Sequence, residues 1–232
     1  MIIYSEMLKQ LIENNVISLG ILETIYMTLI SSFISYLIGL PLGVILNITD
    51  KDGLTPNRFI NKSLGFIVNL FRSIPFIILM VAMLPVAKLI VGTSLGNSAM
   101  IVMLIIAASP YIARMVESSL KEIDYGKIEA AKSMGATNIQ IIFKVILFES
   151  IPSLINGAII STVTILSYSA MASTIGGTGL GQIAIIYGHQ RSNPDITWLC
   201  VLLMVIIVEI IQEVGLIISK KSDKKILKQR NN

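Results

Sequence analysis

Three groups in this sequence have side chains that could do chemistry: the thiol of Cys200, the imidazole of His189, and the acidic cluster Glu209, Gln212 and Glu213. Cys200 is the only cysteine, so there is neither a disulfide framework nor a thiolate metal site. His189 is the only histidine and has no carboxylate at ligand spacing, so no metal site is expected. It falls in a stretch read as an outer loop. Glu209, Gln212 and Glu213 stand at i, i+3 and i+4 in the last apolar run. A proton relay would need a carboxylate near mid-membrane, and this cluster reads as close enough to the inner interface to be hydrated. No G-x-x-x-x-G-K-[ST] occurs, which excludes a P-loop. "GGTGLG" at 176–181 fails as a dinucleotide fingerprint, since a pattern begun at Gly177 ends on Gln182 and has no βαβ context. It reads as a flexible turn or a broken helix end. No catalytic residue and no cofactor is expected, and the chain reads as a non-enzyme.

The elements that must position these residues are apolar. Of the 232 residues 54% are hydrophobic and 14% charged, with a mean hydropathy of +0.80. A soluble domain carries about a quarter charged residues. Runs long enough to cross a bilayer need roughly 20 residues each, and five are read, near 21–47, 66–90, 98–116, 151–174 and 197–218. Amides in hydrocarbon must be satisfied within the segment, so these are helices. The fold class expected is all-α, a polytopic membrane protein with five transmembrane helices. Arg72 interrupts the second run and is read as snorkelling from an interfacial start.

Basic residues fix the orientation. Lys51, Arg58, Lys62, Arg114, Lys121, Lys127, Lys132, Lys144, Lys220, Lys221, Lys224, Lys225, Lys228 and Arg230 collect on one side, against Lys9, Lys88 and Arg191 on the other. The richer side is cytoplasmic, so the N-terminus lies outside and the C-terminus inside. This accounts for the net charge of +4 without nucleic acid. Residues 1–219 form the membrane domain, and 220–232 a basic tail lying beside anionic lipid. Glu6, Lys9 and Glu13 break any signal-peptide core. Ile3, Met7, Leu8, Leu11 and Ile12 recur at helical spacing, which predicts a short surface helix or a docking surface for an external partner.

Within the fourth run, Ser153, Gly157, Ser161, Thr164, Tyr168 and Met171 fall on one helix face. Such a stripe serves either close helix packing or a pathway lining. In the first run, Gly39, Pro41 and Gly43 of "GLPLG" suggest a kinked packing contact.

The segment 121–149 is different, a polar stretch between apolar runs. Asp124 is a plausible N-cap, and Ile128, Ala131 and Met134 form a short face before Gly135, which can take the left-handed turn that ends helices. Thr137 and Gln140 make a capping-box pattern opening a second helix that carries Ile139, Ile142, Phe143 and Ile146. The pattern is helix, glycine turn, helix. It suits insertion into a groove of another protein, or a re-entrant hairpin or interfacial helix.

Residues 129–149 resemble the "EAA" loop of ABC importer permeases: Glu129, Ala130 and Ala131, Gly135 after three more residues, then an aliphatic-x-Leu pair at Val145 and Leu147. Val145 replaces the usual Ile, and Phe148 the usual Pro, with Pro152 four residues on. "FRSIPFIIL" at 71–79 and "SYSAMASTIGGTGLGQIAIIYGHQR" at 167–191 are similar to segments of methionine-importer permeases. The resemblance implies a permease subunit in a bacterial cytoplasmic membrane, forming a path for methionine, L or D, as a homodimer. It implies two separate ATPase subunits, each receiving the loop at Glu129, Ala130, Ala131, Gly135 and Thr137, and an external methionine-binding protein. The gate is expected at the outer half of the fourth span, around Ser161, Thr164, Ser167, Tyr168, Ser169 and Met171. A permease for another small solute is the nearest alternative. A proton-coupled secondary transporter, with Glu209 as relay, would need an inverted repeat that an odd span number does not provide.

Overall fold

The computed structural model describes residues 2–222, with side chains from residue 6 onward. The side chain of Ile3 and the tail cations Lys224, Lys225, Lys228 and Arg230 lie outside the described residues. All regular structure among the described residues is helical, as backbone amides in an apolar solvent require.

In chain order, α1 (Ile2–Glu13) is followed by α2 (Val16–Ile48), α3 (Arg58–Ser73), α4 (Phe76–Val91) and α5 (Asn97–Lys121). Two short helices follow, α6 (Tyr125–Ser133) and α7 (Asn138–Ile141), the latter continuing through a π-helical turn (Ile142–Ile146) into α8 (Leu147–Glu149). Then come α9 (Ile151–Ala172) with a 3-10 turn (Ser173–Ile175), α10 (Leu180–Ile183) with a π-helical extension (Ala184–Gln190), and α11 (Pro194–Ser222). Lys220 and Lys221 therefore belong to the last turn of α11, where cations complement the exposed carbonyls.

Among the described residues, four helical stretches are long and apolar enough to cross a membrane: α2, α5, Ile151–Ile175 and α11. The expected run 66–90 is not one straight span. It divides into α3 and α4, which meet at 109°. The cause is local: Pro75 has no amide to donate and pushes Ile74 out of the helical region, and Ser73 Oγ donates back to Asn69 O at 2.8 Å. Arg72 sits exposed in the last turn of α3, just before this corner. Counting the bent pair as one span brings the number to five.

The stretch after the fourth span also departs from expectation. Residues 180–190, His189 included, are helical rather than a loop. Leu180 and Ile183 are buried, and with Ala184 and Tyr187 they repeat at i, i+3, i+4 and i+7, the spacing of a helix with one apolar face. The glycines before it form a turn held by several hydrogen bonds. Gly96 N donates to Gly176 O at 3.1 Å, Ser173 Oγ donates to Thr178 O at 3.3 Å, and Thr178 Oγ1 hydrogen-bonds Asn97 Oδ1. Thr24 Oγ1 accepts from Leu180 N at 2.9 Å, which satisfies an amide at the start of α10 that has no helical partner.

The chain divides into two compact units. One comprises residues 1–34, 74–108 and 162–211. Its core has a cluster around Leu11, Leu166, Leu180, Ile196 and Cys200 and a methionine-rich cluster around Met27, Met80, Met100 and Met103. Unbranched methionines fill the irregular gaps between helices. Cys200 is buried in the first of these clusters.

The other unit comprises residues 35–73, 109–161 and 212–232. Here glycines set the close approaches. A Cβ on Gly39 would lie 2.6 Å from Ile112 Cγ2, and one on Gly43 2.6 Å from Ala113 O. The "GLPLG" segment of α2 is thus a tight crossing with α5, the small-residue packing that lipid-dissolved helices use.

Candidate functional site

The segment between α5 and α9 is the most elaborate piece of local design in the chain. Asp124 caps α6, its carboxylate accepting from Gly126 N at 2.8 Å. Helix α6 ends at Ser133 with Met134 as its C-cap, and Gly135 follows at φ +78°, where a side chain bearing a Cβ is strained. Thr137 opens α7 with a complete capping box. Gln140 N donates to Thr137 Oγ1 at 3.3 Å, and Thr137 N donates to Gln140 Oε1 at 2.9 Å. The predicted helix, glycine turn and helix are all present.

The apolar faces are distributed differently from the sequence expectation. Ala131, Ile141 and Ile146 are buried, whereas Met134, Ile139 and Phe143 are 80%, 70% and 66% exposed. Ile128 and Ile142 are half-buried. The hairpin thus buries one set of apolar residues and presents another outward. Glu129, Ala130, Gly135 and Thr137 are exposed with the second set, while Ala131 belongs to the first. The reason is geometric: Ala130 and Ala131 stand 100° apart on the helix, so one helix face cannot carry both.

Lys127 Nζ pairs with Glu149 Oε2 at 2.5 Å, tying α6 to α8. Phe148, in the place usual for proline, allows α8 to run to Glu149 before Ser150 marks the short break ahead of α9. The start of α9 is tied to the end of α5: Ser153 Oγ lies 3.0 Å from Ser119 Oγ and donates to Glu122 Oε2 at 2.9 Å. A polar cavity of about 420 Å³ lies here, lined in part by Glu122, Asp124, Lys127, Glu149 and Ser153.

The six residues expected at a gate do not share one surface. Ser161 is buried and donates to Gly157 O at 2.7 Å, and Ser169 is buried and donates to Leu166 O at 2.7 Å. Thr164 and Tyr168 are half-buried, and the Tyr168 ring stacks on Phe76 with centroids 4.0 Å apart and planes at 11°. Ser167 and Met171 are exposed. They line an open, largely apolar groove of about 540 Å³ with Ala170, Thr174, Met204 and Glu209, among others. Glu209 stands about 20 Å of helix from the end of α11 at 1.5 Å per residue. A carboxylate beside apolar side chains requires water or a polar partner.

Some charged contacts were not foreseen. Lys121 Nζ pairs with Asp50 Oδ2 at 2.7 Å and with Glu117 Oε1 at 2.9 Å, and Arg114 Nη1 pairs with Glu117 Oε2 at 2.5 Å. The hydrogen bond from Lys121, followed by that from the Lys51 amide, holds the Asp50 carboxyl below its ordinary range. The spacing 114, 117, 121 was the available signal, since i+3 and i+4 neighbours share a helix face.

Comparisons agree with this geometry. Residues 39–228 match the family described as binding-protein-dependent transport system inner membrane component. The chain is 50% identical to the probable D-methionine transport system permease protein MetI of Vibrio cholerae over 193 residues, 83% of this chain and 86% of that one. It is 44% identical to the methionine import system permease protein MetP of Bacillus subtilis over 181 residues, 78% and 82% of the two. A solved structure of the MetNI methionine ABC transporter in an inward-facing conformation superposes with a TM-score of 0.88 at 45% identity, covering 90% of this chain and 96% of that one. An amino acid ABC transporter structure at 18% identity and a TM-score of 0.76 shares the fold. A family match spanning most of the sequence and relatives near half-identical over most of both chains lead to one conclusion: this chain belongs to the binding-protein-dependent transport system inner membrane components.

Proposed function

We propose that the chain is the permease subunit of an ATP-driven importer that carries methionine across the cytoplasmic membrane. The observation that carries the cargo is the 50% identity to a D-methionine permease across 83% of this chain, since nothing in the groove residues selects methionine by charge. In this reading the α3–α4 pair counts as one of five spans, the N-terminus lies outside and the basic end of α11 inside, and the distribution of Lys and Arg supports that orientation.

Five spans are too few to enclose a path, so two copies form it about a twofold axis. Ser167, Met171 and Glu209 line the groove that faces the path, where water in the open state and the second copy in the closed state cover the carboxylate. Tyr168, stacked on Phe76, holds the outer half of α9 in place. An external binding protein delivers substrate, and two ATPase subunits bind the hairpin 125–149 through Glu129, Ala130, Gly135 and the exposed Met134, Ile139 and Phe143. Ala131 supports the contact from beneath. Closure of the ATPases moves the hairpin, and the spans respond as rigid bodies that open the path alternately to each side. No substrate bond changes. Residues 1–219 constitute this permease body, and the cations from Lys220 onward lie against anionic lipid.

The test is uptake of labelled methionine by cells lacking this chain, complemented with wild type or with Glu129→Lys. Restoration by wild type alone supports both cargo and coupling loop. Uptake that does not depend on the chain points to another small solute.

A further inference from the structure

The C-terminal end of α5 is where the hairpin joins the spans, and one buried carboxylate organises it. Glu117 is 7% exposed. Its Oε2 accepts from Arg114 Nη1 at 2.5 Å and its Oε1 from Lys121 Nζ at 2.9 Å. Each cation reaches onward. Arg114 Nη2 donates to Gly65 O at 3.2 Å and to Asn69 Oδ1 at 3.0 Å, both on α3. Lys121 Nζ pairs with Asp50 Oδ2 at 2.7 Å, in the loop after α2. A single carboxylate thus joins α5 to α3 and to the α2–α3 loop. Only residues 122–124 separate Lys121 from the first residue of α6.

Two physical points argue against a merely stabilising triad. Buried ion pairs are poor sources of stability compared with apolar packing of the same volume, because removing the charges from water costs about as much as their attraction returns. The glycine crossings of α2 on α5 already supply packing here. What a charge hub adds is a fixed relation between several backbones, since its hydrogen bonds are directional and van der Waals packing is not.

We propose that Glu117 is a positioning residue of the transport cycle, making the end of α5 move as one body with α3 and the α2–α3 loop when the hairpin is displaced. This rests on the reading of residues 125–149 as the ATPase contact. Without Glu117, the hairpin shifts while α3 and α2 lag, and ATP is hydrolysed without import.

The test uses the full chain assembled with its ATPase subunits in vesicles, with import of labelled methionine and ATP hydrolysis measured on the same sample. Glu117→Gln takes from Arg114 its carboxylate and leaves Lys121 with Asp50 alone, so the link between the two cations is lost, and import per ATP falls about ten-fold while hydrolysis continues. Since that variant also risks poor folding, Arg114→Met/Glu117→Met/Lys121→Met replaces the whole triad with apolar groups. It is expected to recover yield but not import per ATP. Recovery of the wild-type ratio by the triple variant overturns the proposal, as does a proportional loss of import and hydrolysis in Glu117→Gln. Glu129→Lys in the same assay separates the two readings. If it leaves import intact, the loop assignment fails; if it abolishes import while both Glu117 variants keep the wild-type ratio, only the role of Glu117 fails.

Discussion

Gly135 and Gly179 both hold positive φ, +78° and +96°, yet a Cβ at Gly135 would meet open space while one at Gly179 would lie 2.6 Å from Thr24 Oγ1. Both turns need glycine for the same backbone reason. Their surroundings assign them different work. The turn at 176–181 is internal, bound by hydrogen bonds to Thr24, Gly96, Ser173 and Asn97, and it fixes where α10 begins. The turn at 135 is external, between two short helices whose outward apolar residues are exposed among the described residues. A turn whose glycines pack against neighbouring helices serves the fold, and a turn open to solvent is free to serve a partner.

The largest expected effect breaks the internal turn. Gly179→Val combines left-handed strain with a collision against Thr24, at a cost of about 3 kcal/mol or more, so the yield of monodisperse protein in detergent should collapse. Gly135→Val meets no collision and should lower that yield far less, with a strain cost of about 1–2 kcal/mol. Equal losses in the two variants would erase the distinction drawn between the turns.

Single hydrogen bonds sharpen the comparison. Thr24→Ala leaves Leu180 N buried and unpaired, costing about 1–3 kcal/mol, measurable as a lower thermal unfolding midpoint. Thr137→Ala removes half of an exposed capping box, at about 1 kcal/mol. Its signature should be weaker co-purification of the ATPase subunit with little change in that midpoint. The smallest effect concerns Asp50. Its lowered folded-state pKa means the contact with Lys121 stabilises above the ordinary carboxylate value of 3.8 and is lost as pH falls through the depressed one. Between pH 5 and 8 the pair should contribute no pH dependence, so Asp50→Asn and wild type should show parallel stability profiles there.

Much of this was legible in the chain before folding. Asp124, Gly135 and the Thr137–Gln140 box are local signals, each read within four residues, and all three occur as expected. The spans were legible because lipid as solvent leaves a helix as the only backbone solution for a single segment. What was not legible depended on direction or on partners distant in sequence. The 109° corner at Ile74–Pro75 replaced a straight second span even though "SIP" marked the place, because an X-Pro pair gives a break without its angle. Met134, Ile139 and Phe143 are exposed while Ala131, Ile141 and Ile146 are buried, and apolar residues alone do not say which set is covered. Stacking of Tyr168 on Phe76 joins residues 92 positions apart, beyond the reach of any spacing rule.

One measurement bears most directly on the coupling assignment: import of labelled methionine by vesicles carrying the chain with its ATPase subunits, wild type against Gly135→Val, normalised to inserted protein. The expected result is near-normal insertion with import reduced by about ten-fold or more. Gly135→Val protein that fails to insert, while whatever survives imports at the wild-type rate per molecule, would contradict the role given to the hairpin.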